Sequence, residues 1–433
     1  MTESIRTSPT EATWFGQPRG LTILFLTQMW EIFSYYGMRT LLIYYMTKQL
    51  LFGQQHASLV YGTYVAMAYF TPILGGIVSD RWLGKRRAVI IGGSIMAIGH
   101  GLMAFDAWLY VALATIALGN GLFTPSLPSQ ITDLYKKDDP RGGRAFNIYY
   151  VGINLGGLLA PLVCGTLGEL YGWHYGFAAA GVGMVVGLLI YTLGGRYLPA
   201  SQPVVRTDPV QRANLRDYKP TLLLLLAVGL AVTVFRASYE QLGNTVALWI
   251  DSGVDRAAAG MVIPMTWFQS LNPLFVFLLT PMLLAVWRRR GEAGKEPASM
   301  RKMAIGALII ALAYVLLAVL TSTAGAASVA WWWLLVFFGL FTLGELYILP
   351  TGLGLFARLA PPGHTATTVA AWFLAIFSGS LAAGATGTLW SELSHAAFFV
   401  CLAGLALLAG VLLFLLEPLA ARIEAQRAGS RSD

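Results

Sequence analysis

"GGIVSDRWLGKRRAVIIGGSIMAIG", Gly75–Gly99, is apolar at both ends and charged in the middle, where Asp80, Arg81, Lys85, Arg86 and Arg87 crowd into one turn. The apolar run before the turn covers about 57–79 and the run after it about 88–105. A helix needs ~20 residues to cross a ~30 Å hydrocarbon layer, so the first run is long enough and the second marginal. The stretch reads as two membrane spans joined by a basic hairpin. Working outward, ten more apolar runs can be marked, twelve in all between about 21 and 416. They are rich in Leu, Ala, Val, Gly and Phe and lack the alternation of barrel strands. Helices satisfy their own backbone hydrogen bonds in lipid, so an all-α polytopic membrane protein is expected. Of the 433 residues 56% are hydrophobic and only 12% charged, against about 25% charged in a soluble domain.

The basic turn also fixes a direction. With the N-terminus placed in the cytoplasm, 25 of the 29 Lys and Arg residues fall on that side and only Lys48 and Arg256 on the other. Such a split is a strong positive-inside signal. It predicts both termini in the cytoplasm and an even number of spans. The net charge of +8 is therefore topology rather than a nucleic-acid footprint. The remaining two cations, Arg39 and Arg236, lie within spans. The polar start and the length of the first run argue against a cleavable signal. Cys164 and Cys401 fall inside spans and read as small buried residues, not as a disulfide. The five histidines are scattered, without metal-ligand spacing, which argues against an intramembrane metalloenzyme.

The polar stretch Gly195–Pro220 carries four prolines and five cations and divides the runs six and six. The domain plan expected is a tail over 1–20, a first six-helix bundle over 21–198, a cytoplasmic linker over 199–219, a second six-helix bundle over 220–420 and a tail over 421–433. Two six-helix halves with a site between them is the plan of the major facilitator fold, giving 12 transmembrane helices. The opening stretch agrees. Its Gly-Gly-x-x-Ser-Asp-Arg-x-Leu-Gly pattern resembles the loop signature of the proton-dependent oligopeptide transporter (POT) family within that superfamily. In this reading Asp80 and Arg81 form a cytoplasmic latch with the other bundle. Without the resemblance the same loop would be topogenic only.

Span five, "FNIYYVGINLGGLLAP" (Phe146–Pro161), resembles the family's second signature. The resemblance implies that Tyr150 and Asn154, one helical turn apart, line a peptide site. Taken alone, an Asn in a span serves equally well as interhelical glue. "QMWEIFSYYGMR" (Gln28–Arg39) resembles the first-helix motif Glu-x-x-Glu-Arg-Phe-x-Tyr-Tyr-Gly-x-Arg. It keeps Glu31, Tyr35, Tyr36 and Arg39. A guanidinium fork suits a substrate carboxylate, a role the resemblance implies for Arg39 with Tyr36 assisting. In "YGTYVAMAYFTPILGG" Tyr69 is the expected cavity tyrosine, with Tyr64 as the alternative, and packing accounts for either equally. Gly62 stands where animal members carry a histidine.

Three departures stand out. Gln28 replaces the motif's first Glu, Ile32 its Arg, and Thr124 in "GNGLFTPSLPS" a span-four lysine. Three ionisable groups are lost from one half. In the second half "FRASYEQLG" resembles a span-seven Trp-x-x-x-[Asp/Glu]-Gln-x-Gly, with Arg236 in place of Trp. Arg236 and Glu240 are spaced i,i+4 and can form an ion pair on one face. Arg236 then returns part of the positive charge lost at Ile32 and Thr124. "QSLNP" offers Asn272 as a ligand-facing amide or as part of a kink at Pro273. "FTLGELYILPTG" places Glu345 mid-span, where a bare carboxylate is costly and a proton carrier is plausible chemistry. "AAWFLAIFSG" offers Trp372 as a pocket wall.

The resemblance, over about Gly20–Glu417, implies an inner-membrane importer of di- and tripeptides driven by proton symport. Arg39, Tyr36, Tyr69, Tyr150, Asn154, Asn272, Glu345 and Trp372 would hold substrate, and Glu31, Glu240 and Glu345 would couple protons. No cofactor is expected beyond the proton gradient, and no Gly-x-x-x-x-Gly-Lys-[Ser/Thr] loop for ATP is present. The expected partners are small peptides, protons and the bilayer, with the chain a monomer and no nucleic acid. The departures keep two alternatives open: altered substrate, such as a modified peptide or small organic anion, and weak or absent proton coupling. A peptide receptor without transport stands further off. Bacterial members of the family commonly insert two helices between the halves; the linker here is too short and polar for them.

Overall fold

The computed structural model describes residues 13–14, 16–135, 139, 141–199, 214–325 and 327–429. Its helices are α1 (Arg19–Tyr44), α2 (Gln54–Val78), α3 (Lys85–Leu102), α4 (Leu109–Ser126), α5 (Gly142–Ala160), α6 (Thr166–Tyr171) and α7 (Trp173–Leu193). After the linker come α8 (Lys219–Tyr239), α9 (Thr245–Gly253), α10 (Leu271–Glu292), α11 (Ser299–Ala324), α12 (Trp333–Arg358), α13 (Thr365–Thr388) and α14 (His395–Gly429). A π-helical turn, Pro161–Gly165, carries α5 into α6, and a 3₁₀ turn, Glu240–Gly243, carries α8 into α9. Each pair is thus one interrupted span.

Ten helical stretches among the described residues are long and apolar enough to cross a membrane. Among the described residues the regular structure is helical apart from three pairs of two-residue strands. α1 and α3 fall outside the ten. α3 has 18 residues and opens on Lys85, Arg86 and Arg87. α1 has 26, but Gln28, Glu31 and Arg39 interrupt its apolar run. The lowered hydropathy of α1 and the candidate site have the same cause.

The outer surface is apolar and the interior holds the charges. Leu193, Leu226 and Leu230 are 77%, 61% and 60% exposed, while Glu31, Arg236 and Glu240 are 2%, 2% and 1% exposed. That inversion of a soluble protein is what lipid demands.

α1 packs on α5 and α7, α3 on α4 and α7, and α2 on α4. Beyond the linker α8 packs on α13 and α14, α11 on α12 and α14, and α10 on α12. Two seams join the sets, α2 against α13 and α5 against α10. At the first, a Cβ on Gly62 would lie 2.5 Å from the Gly384 Cα. No histidine fits at this position without parting the helices.

Two boundaries differ from expectation. The eighth run starts late, because Ala257–Ala258 and Met261–Val262 pair as a tight hairpin around Ala259 and Gly260, both at positive φ. At the C-terminus, α14 runs through the expected start of the tail at 421 as far as Gly429. The expected linker, 199–219, lies largely outside the described residues; Leu215–Tyr218 form one 3₁₀ turn leading into α8.

Candidate substrate and proton site

The interruption between α8 and α9 builds the centre of the site. Gln241 ties the turn down: its side-chain amide donates to the carbonyls of Ala237 and, across to α13, Ala383. Its oxygen accepts from Asn244 and Thr245. The turn points Glu240 at α1. There one carboxylate oxygen pairs with the Arg39 guanidinium and the other with Arg236. The expected Arg236–Glu240 pair is formed. The Arg39–Glu240 pair, spanning 201 positions and both halves, follows from no spacing rule and was not foreseen.

Arg39 also donates through Nε to the Tyr61 hydroxyl at 2.8 Å. A Cβ on Gly243 would sit 2.0 Å from that hydroxyl, so the motif glycine makes room for it. Arg39 lies 5.7 Å from the Tyr36 ring centre, sharing a face as expected. Arg236 lies 5.1 Å from the Tyr69 ring centre and 4.6 Å from that of Tyr239. Tyr69 therefore faces the centre, whereas Tyr64 stacks on Tyr35 at 6.3 Å. Arg39 is the more accessible cation, its side chain 11% exposed against 2% for Arg236.

Glu345 is bound from α10. Asn272 donates to its carboxylate at 2.6 Å and to Thr342 at 3.0 Å. Asn154 donates to the backbone carbonyl of Tyr150 at 3.0 Å, and Tyr150 is 43% exposed. Trp372 stands apart from these groups. It is 2% exposed, edge-on to Phe356 at 5.3 Å, in the notch left by Gly352 between α12 and α13.

Glu31 forms a second, separate cluster. Gln28 donates to it at 2.6 Å and accepts from the Tyr149 hydroxyl. The departure at Gln28 thus places an amide donor where the motif has another acid. Ile32 packs toward Gly156 and Gly157 of α5. Thr124 donates to Asn120 at 2.6 Å, and Asn120 to the Ala68 carbonyl.

The two ends of the protein differ. At the end away from the N-terminus the halves are laced together. Glu169 of α6 accepts from the backbone N–H groups of Met265 and Thr266 at 3.0 and 2.9 Å and from the Thr266 hydroxyl. Lys48 pairs with Asp251 at 2.7 Å, Ser58 with Asn244 and Gln54 with Gly387. At the other end the ion pairs Lys85–Asp133, Lys302–Glu296 and Arg301–Glu417 each stay within one half. Asp80 and Arg81, the expected latch, are exposed and pair with no described residue. Glu169 belongs to none of the sequence motifs, and its clasp is seen only in the structure.

A sequence model described as "PTR2: POT family" matches residues 86–215 and 203–408, well over half of the chain. The chain belongs to the POT family. This POT-family chain is 31% identical to the peptide transporter YePEPT of Yersinia enterocolitica subsp. palearctica serotype O:3 (strain YE-P4), over 95% of its own length and 96% of that protein. It is 30% identical to the uncharacterized transporter YclF of Bacillus subtilis (strain 168), over 97% of its own length and 98% of the relative. That alignment runs to 489 positions, more than the 433 residues here, so the relative carries segments that this chain lacks. The fold is similar to the crystal structure of a peptide transporter POT in complex with sulfate, with TM-score 0.87, 29% identity and coverage of 95% and 97%. The relatives are named as transporters, and this POT-family protein is a membrane transporter rather than an enzyme.

Proposed function

We propose that the protein imports di- and tripeptides with protons across the inner membrane by alternating access. In this reading there are 12 spans in two six-helix bundles, 21–198 and 220–420, joined by the linker 199–219, with both termini cytoplasmic. No cofactor is needed, the proton gradient supplies the energy, and the chain acts as a monomer. The observation that carries the reading is the ion pair Arg39–Glu240, made between helices of opposite halves and flanked by Tyr36, Tyr61 and Tyr69. A substrate carboxylate competing for Arg39 would act on both halves at once, and a ligand shifts a conformational equilibrium only through such differential contacts. Asn272, Glu345, Tyr150 and Asn154 supply donors and acceptors for a peptide's amino end and backbone. Trp372 would take part only by shaping the α12–α13 wall.

The laced far end and the unlaced N-terminal end support an inward-facing state, in which the Asp80–Arg81 latch is released. Glu31 and Glu345 are the acids proposed to carry the proton. Glu31 is buried and Glu345 part-buried, and the side chains that donate to them are neutral, Gln28 to Glu31 and Asn272 with Tyr239 to Glu345. A buried charge without a counter-charge is costly, and a proton removes that cost. Counterflow of labelled dialanine in proteoliposomes, competed by di-, tri- and tetrapeptides and by free amino acids, tests the substrate class. Competition by di- and tripeptides alone is expected; no exchange of any peptide would sink the reading. Weak proton coupling is the second reading, favoured by Arg236 holding Glu240.

A further inference from the structure

We infer that Arg236 takes the place of a proton on Glu240, holding that carboxylate ionised when substrate draws Arg39 away. The inference rests on the proposal that Arg39 receives a substrate carboxylate. Glu240 uses separate oxygens for its two cations, so losing one leaves the other pair intact. The two partners are also placed unequally. Arg39 is the more exposed and comes from the opposite half, whereas Arg236 lies four positions before Glu240 on the same interrupted span. The rings of Tyr69 and Tyr239 both lie against the Arg236 guanidinium.

With a single cation, transfer of Arg39 to an incoming carboxylate would strand Glu240 as a buried, unpaired anion beside a second anion. Protonation would be the usual escape, and binding would then weaken as pH rises. With Arg236 present the count changes. Before binding there are two cations and one anion. With a substrate carboxylate on Arg39 there are two of each, fully paired. The cluster takes up an anion without taking up a proton. The other titratable groups facing Glu240 are Tyr36 and Arg39 of α1, Tyr61 of α2, Tyr239 of α8, Tyr314 of α11 and Glu345 of α12, while Tyr69 of α2 faces Arg236. Glu345 is the acid among them that remains to titrate, with its amide partner Asn272. Arg236 is thus a positioning residue that separates substrate capture from proton uptake and moves the latter to Glu345 and Glu31.

Two arms test this. The first needs no substrate: thermal unfolding of the purified protein, from pH 5.5 to 8, for Arg39→Gln, Arg236→Gln, the double variant and the double variant with Glu240→Gln. Either single variant leaves Glu240 one guanidinium, and its Tm should vary with pH no more than that of the native protein, in which Glu31 and Glu345 already titrate. Beyond that, the double variant should lose on the order of 5 °C as pH rises, because its buried, unpaired Glu240 carboxyl keeps a proton that the unfolded chain has released. Adding Glu240→Gln should remove that dependence. An Arg39→Gln protein as pH-sensitive as the double variant would overturn the inference. The second arm is dialanine counterflow at equal pH on both sides. The native protein should keep its half-saturating concentration across the range, whereas Arg236→Gln should weaken up to about tenfold per pH unit. Matching pH profiles would overturn the inference. Absence of dialanine exchange in the native protein would instead count against the peptide reading, and the unfolding arm would still decide the role of Arg236.

Discussion

Two buried carboxylates, Glu240 and Glu31, are almost equally hidden, at 1% and 2% exposure, and keep opposite company. Glu240 is clasped by two guanidiniums, one from each half. Glu31 receives one amide hydrogen bond, from Gln28, which is itself held by Tyr149. Burial alone therefore says little about what an acid does. A carboxylate between cations is a fixed charge that organises a binding site. A carboxylate among neutral donors is cheap to protonate and costly to ionise, which suits a proton carrier. The first is positioned by a break in a helix, the second by α1 and α5 lying side by side.

The comparison is most exposed to test through stability. Glu240→Ala leaves two guanidiniums facing each other in the interior, and breaking a buried pair in this way costs about 3–5 kcal/mol. A large fall in unfolding temperature of the purified protein is expected. Glu31→Ala removes a group with neutral partners and leaves one amide donor unsatisfied, costing about 1–3 kcal/mol. Equal losses for the two variants would break the distinction. Tyr149→Phe is the smallest change. It removes the hydroxyl that orients Gln28, for about 1 kcal/mol, and should leave dialanine half-saturation in counterflow unchanged. A weakened half-saturation would mean that the two clusters act as one.

Much of this arrangement is legible in the chain. The spans follow from apolar length, and the i,i+4 pairing of Arg236 with Glu240 from helical spacing. The motif residues Tyr36, Arg39, Asn272 and Glu345 are found in contact with their helical or cross-helix neighbours. What spacing does not carry is pairing between distant elements. Nothing in one sequence joins Arg39 to Glu240 across 201 positions, and three tyrosines at 61, 64 and 69 give no hint that the first is the one that binds Arg39. The Glu169 clasp was hidden for the same reason, since its partners are backbone N–H groups, which every segment has. Trp372 shows the reverse ambiguity: an aromatic in a motif is equally suited to walling a pocket and to filling the notch at Gly352. Gln28 looked like a loss and is better described as a change of partner for Glu31.

The most direct test of the central claim, that peptide entry carries a proton, is lumenal pH in proteoliposomes containing a trapped pH-sensitive dye, with no starting gradient, on adding dialanine outside. The native protein is expected to acidify the lumen as the dipeptide enters, and Glu31→Gln to exchange dipeptide in counterflow without acidification. Entry of dipeptide into native vesicles at constant lumenal pH would contradict the account.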